Sequence, residues 1–286
     1  MSLELVPATP EHVPELGRIY YEAFKDIHDR HGFPWDIPSP SYAAMILGML
    51  IRREDCYVVA ALDDGRPVGS TGLQMCDEVA GIGPVTVDVP AQGRGIGREL
   101  VQDAIAQARQ NGMEMVRLMQ DSFNVGSLSL YASLGFDTTE PCALMEPTPG
   151  PVPDDSVRPA AEADLPGIEE LSRRIYRVSR RNEVASLMRG PFRPFLRQRR
   201  GRPVGYFVMG LPGHGVAESE DDLLALVREA ARQTPPELRR CFCPLSEGGL
   251  YRRLLAAGGR AIKVMNLMTL GPYEPPDGVW MPSVEF

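Results

Sequence analysis

The chain has 286 residues, of which 43% are hydrophobic and 24% charged, and its formal net charge is −8. That length allows two ordinary domains with real cores, and the balance is that of a soluble globular protein. The five cysteines (56, 76, 142, 241 and 243) are odd in number and form no C-x-x-C pair, which argues against a disulfide framework. The longest apolar run, Tyr42 to Ile51, is far short of the ~20 residues a membrane span needs, and no basic segment followed by an apolar stretch opens the chain. No membrane partner and a cytoplasmic location are the expectations.

In chain order, the first segment of interest is Phe24-Lys25-Asp26-Ile27-His28-Asp29-Arg30-His31-Gly32-Phe33-Pro34-Trp35-Asp36. Its density of aromatic, His and acidic residues on a Gly/Pro-broken stretch suggests a binding lip containing His31 and Trp35; a helix end that buries Trp35 against the core is the plainer alternative. His28 and His31 have i,i+3 spacing, but no third metal ligand can be identified, and no metal is expected.

A β-branched run, Val85 to Val89, then feeds Pro90-Ala91-Gln92-Gly93-Arg94-Gly95-Ile96-Gly97-Arg98, and an amphipathic helix with Leu100, Val101, Ala104, Ile105 and Ala108 on one face follows. The opening amides of a helix lack intrahelical partners and favour an anion. Glycines at 93, 95 and 97 clear space for a diphosphate, and Arg94 and Arg98 can add charge-assisted contacts. A nucleotidase-type phosphate loop needs Gly-Lys followed by Ser or Thr and is excluded, because Gly95 and Gly97 are followed by Ile96 and Arg98. A dinucleotide fingerprint also fails, since its third glycine falls on Arg98 or Leu100, although Asp121 ends the next strand about where a ribose-binding acid sits.

Asn111-Gly112 stops the helix, a strand runs through Met115, Val116 and Leu118, and Asn124 and Leu130-Tyr131-Ala132-Ser133-Leu134-Gly135-Phe136 close the stretch. The Pro-rich segment 146–153 reads as a linker. Beyond it the sequence repeats. Pro7-Ala8 and Val13-Pro14-Glu15-Leu16 recur as Pro159-Ala160 and Leu165-Pro166-Gly167-Ile168, and Gly65-Arg66-Pro67-Val68-Gly69 recurs as Gly201-Arg202-Pro203-Val204-Gly205. Leu134-Gly135-Phe136 corresponds to Gly258-Gly259-Arg260 at an offset of 124, so Tyr131 matches Leu255 and Asn124 matches Gly248. The second copy loses the Gly-rich loop and starts its helix with Ser219-Glu220-Asp221-Asp222, a cap plus carboxylates that repel a diphosphate. Residues 173–202 hold eleven Arg and one acid, Glu183; a solvated or interfacial arginine face is expected rather than a nucleic-acid partner. Cys241-Phe242-Cys243 alternates as a strand, with both thiols in the core.

The pattern Q-x-x-G-x-G from Gln92 to Gly97, with Asn124 and Leu-Tyr-x-x-Leu-Gly-Phe from 130 to 136, resembles the GNAT superfamily of acetyl-CoA-dependent N-acetyltransferases. The resemblance implies an α/β (α+β type) fold present as two tandem copies, each a mixed, mainly antiparallel sheet flanked by helices. The boundaries are 1–146 for the acetyl-CoA-binding and catalytic copy, 147–156 for the linker, and 157–286 for a degenerate copy that is structural or partners the substrate site. It further implies acetyl-CoA on Gln92, Gly93, Arg94, Gly95, Ile96, Gly97 and Arg98, its pantetheine arm along Val87, Asp88 and Val89, a cofactor contact at Asn124, and Tyr131 as the acid that protonates the thiolate. Asp121 joins His31 and Trp35 as a candidate substrate contact. The base stays open among Asp88, Asp121, the Asp77-Glu78 pair and a water chain.

The function that follows is direct acetyl transfer to the primary amine of a small molecule, by a monomer or homodimer. A non-catalytic acyl-CoA-binding regulatory module is the alternative, and a dinucleotide-dependent reductase the third.

Overall fold

The computed structural model describes residues 3–284. The N-terminal half runs β1 (Leu3–Pro7), α1 (Val13–His31), α2 (Pro40–Ile51), β2 (Cys56–Asp63), β3 (Arg66–Gln74), β4 (Val79–Val87), α3 (Ile96–Gln110), β5 (Met115–Asp121), α4 (Val125–Ser133) and β6 (Asp137–Glu146). The C-terminal half repeats the same order as β7 (Val157–Pro159), α5 (Leu165–Tyr176), α6 (Arg181–Met188), β8 (Pro194–Arg199), β9 (Arg202–Val208), β10 (Gly215–Ala217), α7 (Glu220–Gln233), β11 (Cys241–Pro244), α8 (Gly248–Ala256) and β12 (Arg260–Leu270), followed by β13 (Val279–Met281). Ten elements recur in order, so the chain carries one fold twice.

The repeat extends to backbone detail. The β2–β3 hairpin pairs Ala61 with Gly69, slips one residue, and pairs Leu62 with Pro67. The β8–β9 hairpin pairs Arg197 with Gly205, slips one residue, and pairs Gln198 with Pro203. Both turn through two positive-φ residues, Asp64-Gly65 (49° and 77°) and Arg200-Gly201 (52° and 76°), the twist that a two-residue hairpin loop requires.

The strands form an eight-stranded sheet, β1-β2-β3-β4-β5-β12-β6-β11, and a five-stranded sheet, β13-β10-β9-β8-β7. Every pairing is antiparallel except β4–β5. The two halves exchange their last long strands: β12 lies against β5, and β6 lies between β12 and β11. A hydrophobic cluster spans this junction, with Ile168, Leu171 and Ile175 of α5 beside Val79, Cys142, Leu144 and Leu267. In α3 the expected face is buried, since Leu100, Val101, Ala104, Ile105 and Ala108 are nearly inaccessible. Each large aliphatic among them contributes roughly 1.5–3 kcal/mol. Asn111 caps the helix and Gly112 leaves it at φ 74°.

Three expectations need correction. The strand entering the Gly-rich loop ends at Val87, not Val89, because Pro90 has no amide proton to extend the ladder and Val89–Ala91 forms a 3-10 turn instead. The terminal helices align one residue differently: Gly135 and Gly258 are both left-handed (97° and 89°), and the amides of Phe136 and Gly259 bond back to the carbonyls of Tyr131 and Leu254. Tyr131 therefore matches the buried Leu254, and Asn124 matches Glu247. Lastly, the Asp77-Glu78 pair is not a base candidate, because it caps α6. The amides of Asn182 and Glu183 donate to Asp77 at 3.1 Å, and that of Ser179 to Glu78 at 2.7 Å.

Several arginines of the Arg-rich stretch are paired with acids distant in sequence. Arg174 and Arg202 both bind Glu218, Arg197 and Arg199 bind Asp222, and Arg173 reaches Glu78.

Candidate active site

The loop between β4 and α3 is held by a side chain it carries. Gln92 Nε2 donates to the Val87 carbonyl at 3.1 Å, closing the turn that Pro90 starts. Gly93 (φ 78°) and Gly95 (φ 87°) then adopt left-handed conformations, and a Cβ on either would meet nothing within 4 Å. Gly95 is the N-cap of α3, and no side chain caps the helix. The opening amides therefore face open space bounded by glycine, which suits a diphosphate. Arg94 is engaged by Asp63 at 2.8 Å and Arg98 by Ser133 Oγ at 2.7 Å, so both flank the loop as part of a network.

Past this loop the sheet opens. β4 and β5 pair only at Val79/Met115, Ala80/Val116 and Gly81/Arg117, then diverge. The gap is part of a cavity of about 1170 Å³ that Ile82, Val85, Val87, Leu118, Gln120 and Asp121 help to line. Gln92, Gly93, Gly95, Ile96, Gly97, Arg98, Asn124, Tyr131 and His31 also face it, and Asp88, Val89, Arg94 and Trp35 do not. Trp35 lies outside at 48% exposure, its indole donating to Asp29 at 2.6 Å beneath Lys25. It forms neither a lip of the cavity nor a core contact.

Asn124 Oδ1 caps α4 by accepting from the Ser127 amide at 3.2 Å. The buried Gln120 fixes this corner, donating to the Asn124 carbonyl at 2.7 Å and Ser127 Oγ at 3.0 Å, while Asn266 of β12 holds its carbonyl at 2.9 Å. Tyr131 sits near the end of α4 at 8% exposure, edge-on to Phe136. Burial, with the charge of Asp121 added, pushes its phenol well above the usual range, so it keeps its proton at neutral pH.

Behind Asp121 lies a buried charged cluster. Lys263 of β12 is ion-paired to Asp36, stands 2.7 Å from Asp121 Oδ1 and 3.0 Å from His28 Nε2, and is itself fully buried. His28 Nδ1 donates to the Phe24 carbonyl at 2.7 Å. His28, Asp36 and Asp121 have ligand atoms within 4.8 Å of one another, but the cation among them is the ammonium of Lys263. His31 turns away to Ile27 and packs on Phe123. Burial raises the Asp121 carboxyl against the pull of Lys263; Asp36, although burial also pushes it up, is held below the usual range by His28 and Lys263. Sequence reasoning missed Lys263 and Asp36 as site residues, since nothing local to either marks it.

The C-terminal half contributes Glu183, Leu187, Phe192, Leu211 and Phe242 to the same cavity. Its own counterpart of the cofactor groove is filled. β10 carries β13 on the edge that β4 leaves open, pairing Gly215 with Met281 and Ala217 with Val279. The shared strand-end bonds, Asp88 N to Val68 O and Glu218 N to Val204 O, show that the loop from Val89 onward shrinks to Ser219 alone before α7. Ser219 accepts from the Asp222 amide, so this helix start is capped and acidic.

Residues 18–136 match the family model described as the Acetyltransferase (GNAT) family. An uncharacterised N-acetyltransferase of Methanocaldococcus jannaschii is 29% identical over 143 residues, 46% of this chain and 59% of its own. A mycothiol acetyltransferase of Thermobifida fusca is 32% identical over 127 residues, 44% of this chain and 36% of its own. The chain thus spans less than two thirds of the length of these curated relatives. In fold, a candidate acetyltransferase of Pyrococcus horikoshii superposes with a TM-score of 0.79 at 17% identity, covering 99% of this chain and 94% of that one. A GCN5-related N-acetyltransferase of Sphaerobacter thermophilus gives 0.60 at 15% identity, covering 96% and 97%. The N-terminal half of the chain thus matches the GNAT acetyltransferase family over residues 18–136, and the chain carries the fold in two copies.

Proposed function

We propose that the N-terminal copy, residues 1–146, is an acetyl-CoA-dependent N-acetyltransferase that acetylates the primary amine of a small molecule by direct transfer. The observation that carries this reading is the uncapped, glycine-bounded start of α3 opening into the same cavity as Asn124 and Tyr131. Acetyl-CoA supplies an acetyl thioester, with its diphosphate on the Gln92–Arg98 loop and its arm along the open edge of β4 up to Val87. Tyr131 then gives its proton to the departing sulfur, a role that suits a phenol kept protonated by burial. The C-terminal copy, residues 157–286, walls the acceptor end and binds no cofactor. The family relatives named as acetyltransferases are in keeping with an acetyl donor. The reading places the protein in the cytoplasm as a monomer or homodimer; separately, no described helix is long and apolar enough to cross a membrane.

The test is free-thiol release from acetyl-CoA across an amine library that includes mycothiol precursors. Amine-dependent release supports transfer. Acetyl-CoA binding with no release for any amine favours the acyl-CoA-binding module, and nicotinamide-cofactor binding without acetyl-CoA binding favours the reductase.

A further inference from the structure

Resting on that transferase reading, we propose that Asp121 is the general base that deprotonates the acceptor amine, and that Lys263 is the residue that positions it. Because Lys263 rides on β12, the second half completes the active site through strand exchange.

Asp121 ends β5, where that strand has already left β4, and it lines the cavity shared with Tyr131. One ammonium lies between two carboxylates here, so Lys263 can neutralise only one of them. Asp36 is the one it matches, since Asp36 Oδ2 is ion-paired directly to Lys263 and lies 3.3 Å from His28 Nε2. Asp121 Oδ1 is taken up by Lys263 at 2.7 Å, whereas its Oδ2, 3.8 Å from His28 Nε2, lies beyond hydrogen-bond reach of that ring. Its carboxylate is anchored in place with proton-accepting capacity to spare. The titratable groups facing it are Lys263 from β12, His28 from α1, Asp36 from the α1–α2 segment and Tyr131 from α4. Two neighbouring carboxylates with proton affinities pushed apart are the arrangement in which one holds charge and the other moves a proton.

The step balances as follows. Asp121 takes one proton from the acceptor ammonium, and the freed nitrogen attacks the thioester carbonyl carbon. The carbon–sulfur bond breaks as Tyr131 protonates the sulfur, and the remaining excess proton on nitrogen returns to the Tyr131 oxygen. Asp121 finally releases its proton to water. The products are the amide, free CoA and one proton.

The experiment pairs carbon-13 NMR titration of the Asp121 carboxyl, identified by its loss in Asp121→Asn, with pH profiles of CoA release for the best amine. Asp121→Asn is expected to lower kcat by about 100-fold or more and leave acetyl-CoA affinity unchanged. Lys263→Met is expected to raise the Asp121 midpoint by one pH unit or more and to move the acid limb of kcat/KM with it; Lys263→Arg restores both. The double variant Lys263→Met/Asp36→Asn keeps the cluster's charge and guards against misfolding, and is expected to show a smaller upward move, because the negative charge of Asp36, which also raises Asp121, is removed with it. An unchanged midpoint in the folded variants, or wild-type turnover by Asp121→Asn, overturns the proposal. A wild-type chain that releases no CoA with any amine removes the transferase reading, and the base with it.

Discussion

Gly95→Ala separates backbone strain from ligand contact. Gly95 holds φ at 87°, a left-handed conformation that costs an L-residue about 1–2 kcal/mol. A Cβ there touches nothing within 4 Å, so no steric term adds to that cost. Gly65, at the β2–β3 turn, has φ 77° and the same open surroundings, but lies outside the cavity. Both alanine variants are therefore expected to lose the same ~1–2 kcal/mol in chemical denaturation. Only Gly95→Ala places a methyl where the diphosphate would approach the α3 amides. An anion at a helix start gains about 0.3–2 kcal/mol, so losing that contact weakens acetyl-CoA binding by roughly 2- to 30-fold. Calorimetric titration reads the affinity of each variant. Equal affinity for Gly95→Ala and wild type, or equal weakening by Gly65→Ala, would refute the placement of the donor.

Other expectations are equally direct. Tyr131→Phe should lower kcat by about 100-fold or more with acetyl-CoA affinity intact, measured by steady-state thiol release against calorimetry. Leu100→Ala empties a fully buried site in α3 and should cost about 2–5 kcal/mol in denaturant unfolding. Trp280→Ala, which removes the largest side chain of β13, should cost about 3–5 kcal/mol by the same measurement. Glu218, held at about 2 by Arg202 and Arg174, is depressed below its ordinary 4.5. Its stabilisation is thus full above pH 4.5 and fades as pH falls towards 2, and Glu218→Gln should flatten that part of a Tm–pH curve.

Much of the N-terminal site was legible because its signals are local. A β-branched run, Pro90, three alternating glycines and a 3.6-period apolar face specify a strand, a turn and a helix within residues 85–110, and the structure has all three. Asn124 and Tyr131 follow at fixed positions around one short helix. The repeat was legible too, since turn residues such as Gly65 and Gly201 must recur where a hairpin recurs. What escaped is non-local. Nothing in the composition of β12 says that it pairs with β5 rather than with β11, so Lys263 could not be brought beside Asp121. The partners of Arg174, Arg197 and Arg202 lie 16 to 44 residues away or arrive from α7, leaving a basic stripe that looked unpaired. β13 is three residues long, too short for any periodicity, yet it covers the edge of β10 that a cofactor would need. The one-residue shift between α4 and α8 arose because Gly258-Gly259 offers two glycines where one must be left-handed.

The measurement that bears most directly on the account is the stoichiometry of acetyl-CoA binding by calorimetric titration of the full chain. One site per chain is expected, with β13 and the capped start of α7 closing the second groove. Two sites, or none, would contradict it.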